Sequence, residues 1–362
     1  MSTNTKIERE LLSKPGDTIL ETIAHLRMTQ AELAERLGKT PAQVNDLVSG
    51  KGPLTVNTAM QLEKVLGIEM QFWLNYETRY REKLARIEQE EFLEQSLEWL
   101  KIQPVKELKK LGYLKTEKAG HAMVDECLQF YGVASPVQWN HLYVNNYQFI
   151  HFRKSTIFQT LKASLAAWLR IGELKVQGKQ YPDYSKDIFK SKLLEIKSLV
   201  EFQPEDFPLQ LQYKCEQAGV AVIYSKSLPK VPVSGAARWI GGIPVIQITD
   251  RYKTNDQFWH TFYHEAAHIT LHGKKEVFIE GDDIENNQEK ENQADDFACE
   301  WLLPSVFLTE ISEMIDERVI RKIARKYATH PGIVLGRLQK LEKVPYHFGS
   351  GLKAKVDLNH FI

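Results

Sequence analysis

The sequence is poor in cysteine and has no surplus charge of either sign. Cys127, Cys215 and Cys299 are its only three cysteines in 362 residues. Far apart and odd in number, they fit a reducing compartment better than a disulfide framework. Lys plus Arg and Asp plus Glu both count 47, so no whole-protein field favours nucleic acid, membrane or a polyanionic substrate. No apolar run approaches the roughly 18 residues that a membrane span needs, and the opening MSTNTKIERELLSKPG is polar, so neither span nor signal peptide is expected. No fixed-period repeat or low-complexity tract occurs, which removes solenoids and disordered linkers as models for the bulk of the chain. The expectation is a soluble cytoplasmic protein of two or three domains, since 43% hydrophobic and 26% charged residues is ordinary globular composition.

What is present first is a series of helix boundaries. Helices are expected at 17–27, 29–37, 40–49, 55–66 and from about 69 onward. Thr29, Thr40 and Thr55 stand where N-caps belong, Pro41 takes a first helical position, and Gly38, Gly50 and Gly67 close helices. In TQAELAERLGKTPAQVNDLVSG, Ala31, Leu33, Ala34, Leu37, Val44, Leu47 and Val48 supply one apolar face across a tight turn, which is helix-turn-helix geometry. The first 85 residues carry eleven basic and eleven acidic side chains, so geometry and not charge points to DNA.

This segment resembles the phage-repressor (XRE) helix-turn-helix family. From KPGDTILETI through LTVNTAMQLEKVLGIEMQFWLNYETRY it is similar to the HigA-type antitoxin branch. The resemblance implies a homodimer on a two-fold DNA operator, the protein's own promoter included. Helix 40–49 would read bases through Gln43, Asn45 and Asp46, with Thr40 and Ala42 beside them, while Gln30 and Lys51 would meet phosphates. A module repurposed for dimerisation or protein contact is the alternative.

Residues 70–100 continue as a charged helix with an apolar stripe of Leu84, Ile87, Phe92, Leu93, Leu97 and Leu100. From 101 to about 200 the pattern stays helical, broken at Pro104, Gly112, Gly120, Gly132 and Pro136. The aromatics Trp139, Tyr143, Tyr147, Phe149, Phe152, Phe158 and Trp168 read as core, with a signal-sensing pocket as the alternative. Lys106, Lys109, Lys110, Lys115 and Lys118 read as a solvated face.

After Pro204 and Pro208 the texture changes to α+β. GVAVIYSK reads as a strand, and AARWI and IPVIQIT, joined by Gly241 and Gly242, as a hairpin of a small, mainly antiparallel sheet. On the next helix His264, Glu265 and His268 form H-E-x-x-H. Two His four residues apart differ by only about 40° around a helix, so both imidazoles can point to one metal with Glu265 beside them. ENQADDFACEWLLP then forms a helix on which Glu291 and Asp295 share a face, Glu291 able to complete a His, His, Glu set and Asp295 to accept from the far nitrogen of a ligating His. A metal-free stripe of His260, His264, His268 and His272 is the bland alternative.

H-E-x-x-H followed by E-x-x-x-D resembles the gluzincin arrangement, and HEAAHITLHG with ENQADDFACEWLLP is similar to the ImmA/IrrE family, over roughly residues 205–342. The resemblance implies a zincin-like domain with an active-site helix, Zn2+ held by His264, His268 and Glu291, with Glu289 as the fallback, and Glu265 as the base in attack of zinc-bound water. His260, His272, Arg238 and His330 are candidate oxyanion stabilisers that the sequence does not rank. A hairpin strand, if at an edge, could align a peptide substrate. Cys299 reads as a small core residue before a zinc ligand, and HPGIVLGRLQ as a final helix.

The resulting domain plan is helix-turn-helix over 1–85, a helical linker or regulatory region over 86–204, the zinc peptidase over 205–345 and a tail over 346–362. Two functions compete. One is a DNA-binding regulator whose zinc metalloendopeptidase, narrow in specificity, cleaves a repressor, an antitoxin or itself. The other is a non-proteolytic HigA-like antitoxin or repressor whose zinc domain is structural, sensory or toxin-binding.

Overall fold

A computed structural model describes residues 8–145, 151–152, 158–229, 231, 233–251, 253–273, 277–281, 284–285, 288–311, 314–358 and 360–361. Tyr147 and Phe149 of the aromatic run lie outside them. The chain forms two compact units, one built up to Lys101 together with Thr116–Glu126, the other from Ile102–Lys115 and from Cys127 onward.

In the first unit, helices α1 (Pro15–His25), α2 (Gln30–Leu37), α3 (Pro41–Ser49) and α4 (Val56–Leu66) follow the expected boundaries to within two residues. The reason lies in the caps. Thr29, Thr40 and Thr55 each accept a backbone N–H three residues on, and Gly38, Gly50 and Gly67 end the helices in the left-handed region. Ile19, Leu33, Leu37, Val44, Leu47, Leu62 and Trp73 bury one core, while Ala31, expected with them, is exposed. The 33-residue α5 (Met70–Ile102) reaches back to brace the turn after α3: Glu77 accepts from the Leu54 N–H and from Arg81, whose guanidinium donates to the Gly52 carbonyl.

Close packing of α1 on α3 depends on the absence of one side chain. A Cβ at Gly16 would sit 1.9 Å from the Val48 carbonyl oxygen. Backbone cannot yield as a flexible side chain does, so Gly16→Ala is expected to cost the first unit about 1–3 kcal/mol or more. Urea denaturation of the full chain checks it. An unchanged midpoint would show that α1 slides without cost.

The second unit opens with α6 (Val105–Lys110), α7 (His121–Tyr131, shared with the first unit up to Glu126), α8 (Pro136–Trp139) and a π-helical turn (Asn140–Asn145), then α9 (Phe158–Val176), α10 (Lys186–Phe202) and α11 (Phe207–Glu216). Trp139, Tyr143 and Trp168 are buried, as core aromatics should be. Strand β1 (His151–Phe152) pairs with β6 (Ile284–Glu285). A four-stranded sheet holds β2 (Ala221–Tyr224), β3 (Val233–Ile240), β4 (Ile243–Ile248) and β5 (Phe278–Gly281) in the order β2-β4-β3-β5. β3 is antiparallel to both neighbours, and β2 runs parallel to β4. Gly241 and Gly242, both at positive φ, make the tight β3–β4 turn.

The sheet separates two environments. Val222, Ala237, Ile246 and Ile248 face the main core, where α12 (Asn255–Leu271) contributes Phe258, Phe262, Ala266 and Ile269. On the opposite face α9 is held by polar links: Gln247 donates to the Trp168 carbonyl, and the buried Arg238 donates to the Leu169 carbonyl and to Glu173. Beyond α12 follow α13 (Gln288–Leu302), α14 (Glu317–Lys326) and α15 (Pro331–Lys340).

The last residues return to the start of α12. Asn255 donates its backbone N–H to the Ala354 carbonyl and accepts from the Ala354 N–H on its side chain; the Val356 N–H reaches the Lys253 carbonyl, and Lys353 pairs with the buried Asp256. Leu352 and Leu358 are buried in the core of the unit.

Candidate functional site

Helices α12 and α13 cross so that the H-E-x-x-H face of the first meets the acidic face of the second. His264 and His268, four residues apart, bring their Nε2 atoms to 3.1 Å of one another. Glu291, one turn into α13, places Oε2 3.0 Å from His264 Nε2 and Oε1 3.6 Å from His268 Nε2. Exposed Glu289, two residues earlier, is outside this group; the set that offers converging ligand atoms among the described residues is His264, His268 and Glu291. Both His are 2% exposed and Glu265 is fully buried.

Second contacts fix the rings. His264 Nδ1–H donates to Asp295 Oδ1 at 3.0 Å, which leaves Nε2 facing Glu291 and His268. Phe278 of β5 stacks on His268 with centroids 4.0 Å apart and planes within 10°. Burial lowers the affinity of His268 for a proton, more than the neighbouring Glu291 raises it, so its imidazole is neutral at neutral pH. Burial opposes ionisation of Glu291, yet the His264 and His268 imidazoles beside it outweigh that and bring the carboxyl down to about 2. Asp295 behaves alike, with burial overcome by the His264 hydrogen bond and by the charges of His260 and Lys340.

The donor set fits a metal. With Nδ1 on Asp295, His264 turns Nε2 to Glu291 and to the Nε2 of His268, so that three potential ligand atoms crowd one point that a single shared cation would fill. Nitrogen ligands of a tetrahedral zinc at 2.0–2.1 Å lie about 3.3 Å apart, close to the separation observed. Glu291 Oε1 and His268 Nδ1 are buried atoms with no hydrogen-bond partner among the described residues, and a bond to a metal would satisfy the former.

Glu265 faces β3, where the backbone makes room for it. A Cβ on Gly235 would lie 2.7 Å from Glu265 Oε1 and 2.7 Å from Thr261 Cγ2, and the register of β3 against β5 shifts between Val233 and Gly235. Glycine at 235 therefore lets the carboxylate lie against the strand, a signal hidden in a sequence where Gly235 looks like any strand glycine.

Among the four oxyanion candidates the structure divides two from two. Arg238 sits on the α9 face of the sheet, away from α12. His330 caps α15, accepting from the Gly332 N–H and contacting the Asn255 side chain at 2.7 Å, nine residues before His264 at the far end of α12. His260 and His272 flank the pair: the His260 ring stacks 6.1 Å from His264 with Nε2 3.7 Å from Asp295, and the His272 ring lies 5.2 Å from His268. The hairpin expectation is also corrected, because β3 and β4 are both interior and the strand that ends the sheet on this side is β5. Cys299 is buried two turns beyond Glu291, where Arg337 donates to its sulfur, and is outside the ligand group.

In the first unit, Gln30, Thr40, Ala42, Gln43, Asn45, Asp46 and Lys51 are all exposed on or beside α2 and α3. Two of them have local duties. Thr40 accepts from the Gln43 N–H, and the Gln43 side-chain oxygen accepts from the Thr40 N–H at 2.9 Å, a closed capping box. Gln43 thus spends the oxygen that bidentate pairing with adenine would require, whereas Asn45 is exposed and has no part in the capping box.

Comparison with known proteins defines the class. A helix-turn-helix family model matches residues 19–73, and a peptidase-family model described as the IrrE N-terminal-like domain matches residues 215–339. The chain belongs to the XRE-type helix-turn-helix family and joins that regulator domain to an IrrE-like peptidase-family domain. It is 33% identical over 67 residues to an uncharacterised HTH-type transcriptional regulator, YddM, of Escherichia coli, covering 18% of this chain and 71% of that one. Virulence-associated protein I of Dichelobacter nodosus is 31% identical over 72 residues, 20% of this chain and 67% of the relative. An addiction-module antidote protein of the HigA family from Coxiella burnetii, 25% identical, covers 29% of this chain and 98% of its own, with a TM-score of 0.20. Among the described residues no helix is long and apolar enough to cross a membrane.

Proposed function

We propose that the protein is a DNA-binding transcriptional regulator carrying a zinc-dependent endopeptidase that cleaves one regulatory protein: a repressor, an antitoxin or itself. The observation that carries this reading is the convergence of His264, His268 and Glu291, with ligand atoms within 4.8 Å of one another and the acid Glu265 buried in the same helix. Those three residues would hold zinc, leaving a fourth position open; bound there, zinc would acidify a water molecule and polarise a scissile carbonyl. Glu265 is the general base: its carboxylate takes a proton and returns it to the leaving amine. Asp295 holds His264 in the tautomer that presents Nε2. Specificity is narrow, set by a partner that presents one peptide loop.

The test incubates purified full-length protein with the proteins encoded by adjacent genes and reads products by intact mass. A product that Glu265→Gln does not yield supports the peptidase. Bound zinc without any such product would favour a HigA-like regulator whose metal site is structural, sensory or toxin-binding.

The regulator acts as a homodimer on its own promoter. Base reading by α3 is tested at Asn45, which carries no capping duty. Asn45→Ala is expected to weaken promoter binding by about 1–3 kcal/mol and to leave binding to random DNA unchanged. Equal weakening on both would remove Asn45 from base readout. Gln43→Ala is the less clean companion, since it also opens the capping box.

A further inference from the structure

The neutrality of the chain conceals a sharp asymmetry. Residues 317–355 contain ten Lys or Arg and two Glu, a net +8, so the remainder of this neutral chain carries −8. The helix-turn-helix region has no share in the surplus, with eleven basic against eleven acidic side chains in residues 1–85, and its reading helix α3 bears Asp46 and no cation.

Within the basic stretch α14 sorts its side chains by face. Ile320, Ile323 and Ala324 are buried, and Arg318, Arg321, Lys322 and Arg325 are exposed. Several neighbouring cations are already matched: Arg321 with Glu317, Lys326 with Glu310, Lys340 with Asp295 and Lys353 with Asp256. Arg318, Lys322 and Arg325 form no ion pair among the described residues. At i, i+4 and i+7 they fall within about 60° around the axis and span about 10 Å along it. Over that length one strand of duplex DNA presents about three phosphates.

We propose that the outer face of α14 is a second DNA contact, independent of sequence, in which Arg318, Lys322 and Arg325 neutralise backbone phosphates while the helix-turn-helix reads bases. Counterions released by such pairs supply essentially all of non-specific DNA affinity and a large share of specific affinity. The reading module has no surplus of cations, whereas α14 presents three on one face with no ion pair among the described residues. The inference rests on DNA binding by the helix-turn-helix domain.

The test uses full-length protein and fluorescence anisotropy on a random-sequence duplex of about 40 base pairs across a salt series. One variant combines Arg318→Ala, Lys322→Ala and Arg325→Ala, all exposed and all changed to the best helix former. A control combines Lys186→Ala, Lys190→Ala and Lys226→Ala, removing equal charge from exposed positions elsewhere. The α14 variant is expected to flatten the slope of log K against log salt by about 2 to 3, at roughly 0.9 per lost phosphate contact, and to bind roughly tenfold or more weakly at low salt. The control is expected to keep the parent slope. Equal flattening in both, or no flattening in either, overturns the inference while the DNA-binding reading stands. No duplex binding by the parent protein at any salt overturns that reading and the inference together. Retained duplex binding with lost binding to poly-glutamate would assign the face to an acidic protein, and also overturns it.

Discussion

Glu265→Gln is expected to lower proteolysis by roughly 10²–10⁴-fold, the usual contribution of a positioned general base, with metal content unchanged. Glutamine has the same shape and cannot take a proton, so the substitution removes one function from a site that otherwise keeps its packing. Full burial of Glu265 against Gly235 makes the comparison informative, because a shorter side chain there would leave a cavity. Cleavage by Glu265→Gln within a factor of a few of the parent would remove Glu265 as the base. Gly235→Ala approaches the same atom from the other side. Its Cβ would sit 2.7 Å from Glu265 Oε1, so activity is expected to fall while His264, His268 and Glu291 still bind zinc.

His264→Ala combined with His268→Ala is expected to reduce zinc from about one ion per chain to background, since two of the three proposed ligands are lost. Metal analysis after gel filtration measures it, and full zinc in the double variant would sink the site. Thermal melting gives a second reading. A ligand bound only by the folded state adds about 4 kcal/mol at a thousand times its dissociation constant, so the parent should melt several degrees higher with zinc than with chelator. In the double variant the two curves should coincide.

Local chemistry explains which features were legible in the sequence. Thr40, Pro41 and Gly50 mark the ends of α3 because capping is settled within a few residues. His264 and His268 are readable as a pair because a four-residue helical spacing places two side chains together whatever surrounds them, whereas Glu291, on another helix, is legible only through the E-x-x-x-D pattern and the family resemblance. Harder to see was everything decided across the sheet. Arg238 and Gly235 lie three residues apart on β3, so the strand's alternation sends one to α9 and the other to Glu265, yet no sequence pattern says which helix covers which face. His330 looked as eligible as His260 until the fold placed it at the opposite end of α12. β5 leaves little mark on the sequence because FIEG is four residues long and lies between charged stretches, and its pairing with β3 places the β3–β4 hairpin, whose edge position the sequence leaves open, in the interior of the sheet.

The mooring of residues 353–356 on the first turn of α12 makes the stretch that follows α15 a strap on the helix that carries the histidines. Asn255 and Asp256, which anchor that strap, begin the helix that two turns later presents His264. Peeling the strap away would strip Asp256 of Lys353 and loosen the helix from its far end. A cut by a contaminating protease between α15 and Lys353 would therefore be felt at the histidines, and protein nicked there would lose the strap while keeping every one of the three converging side chains.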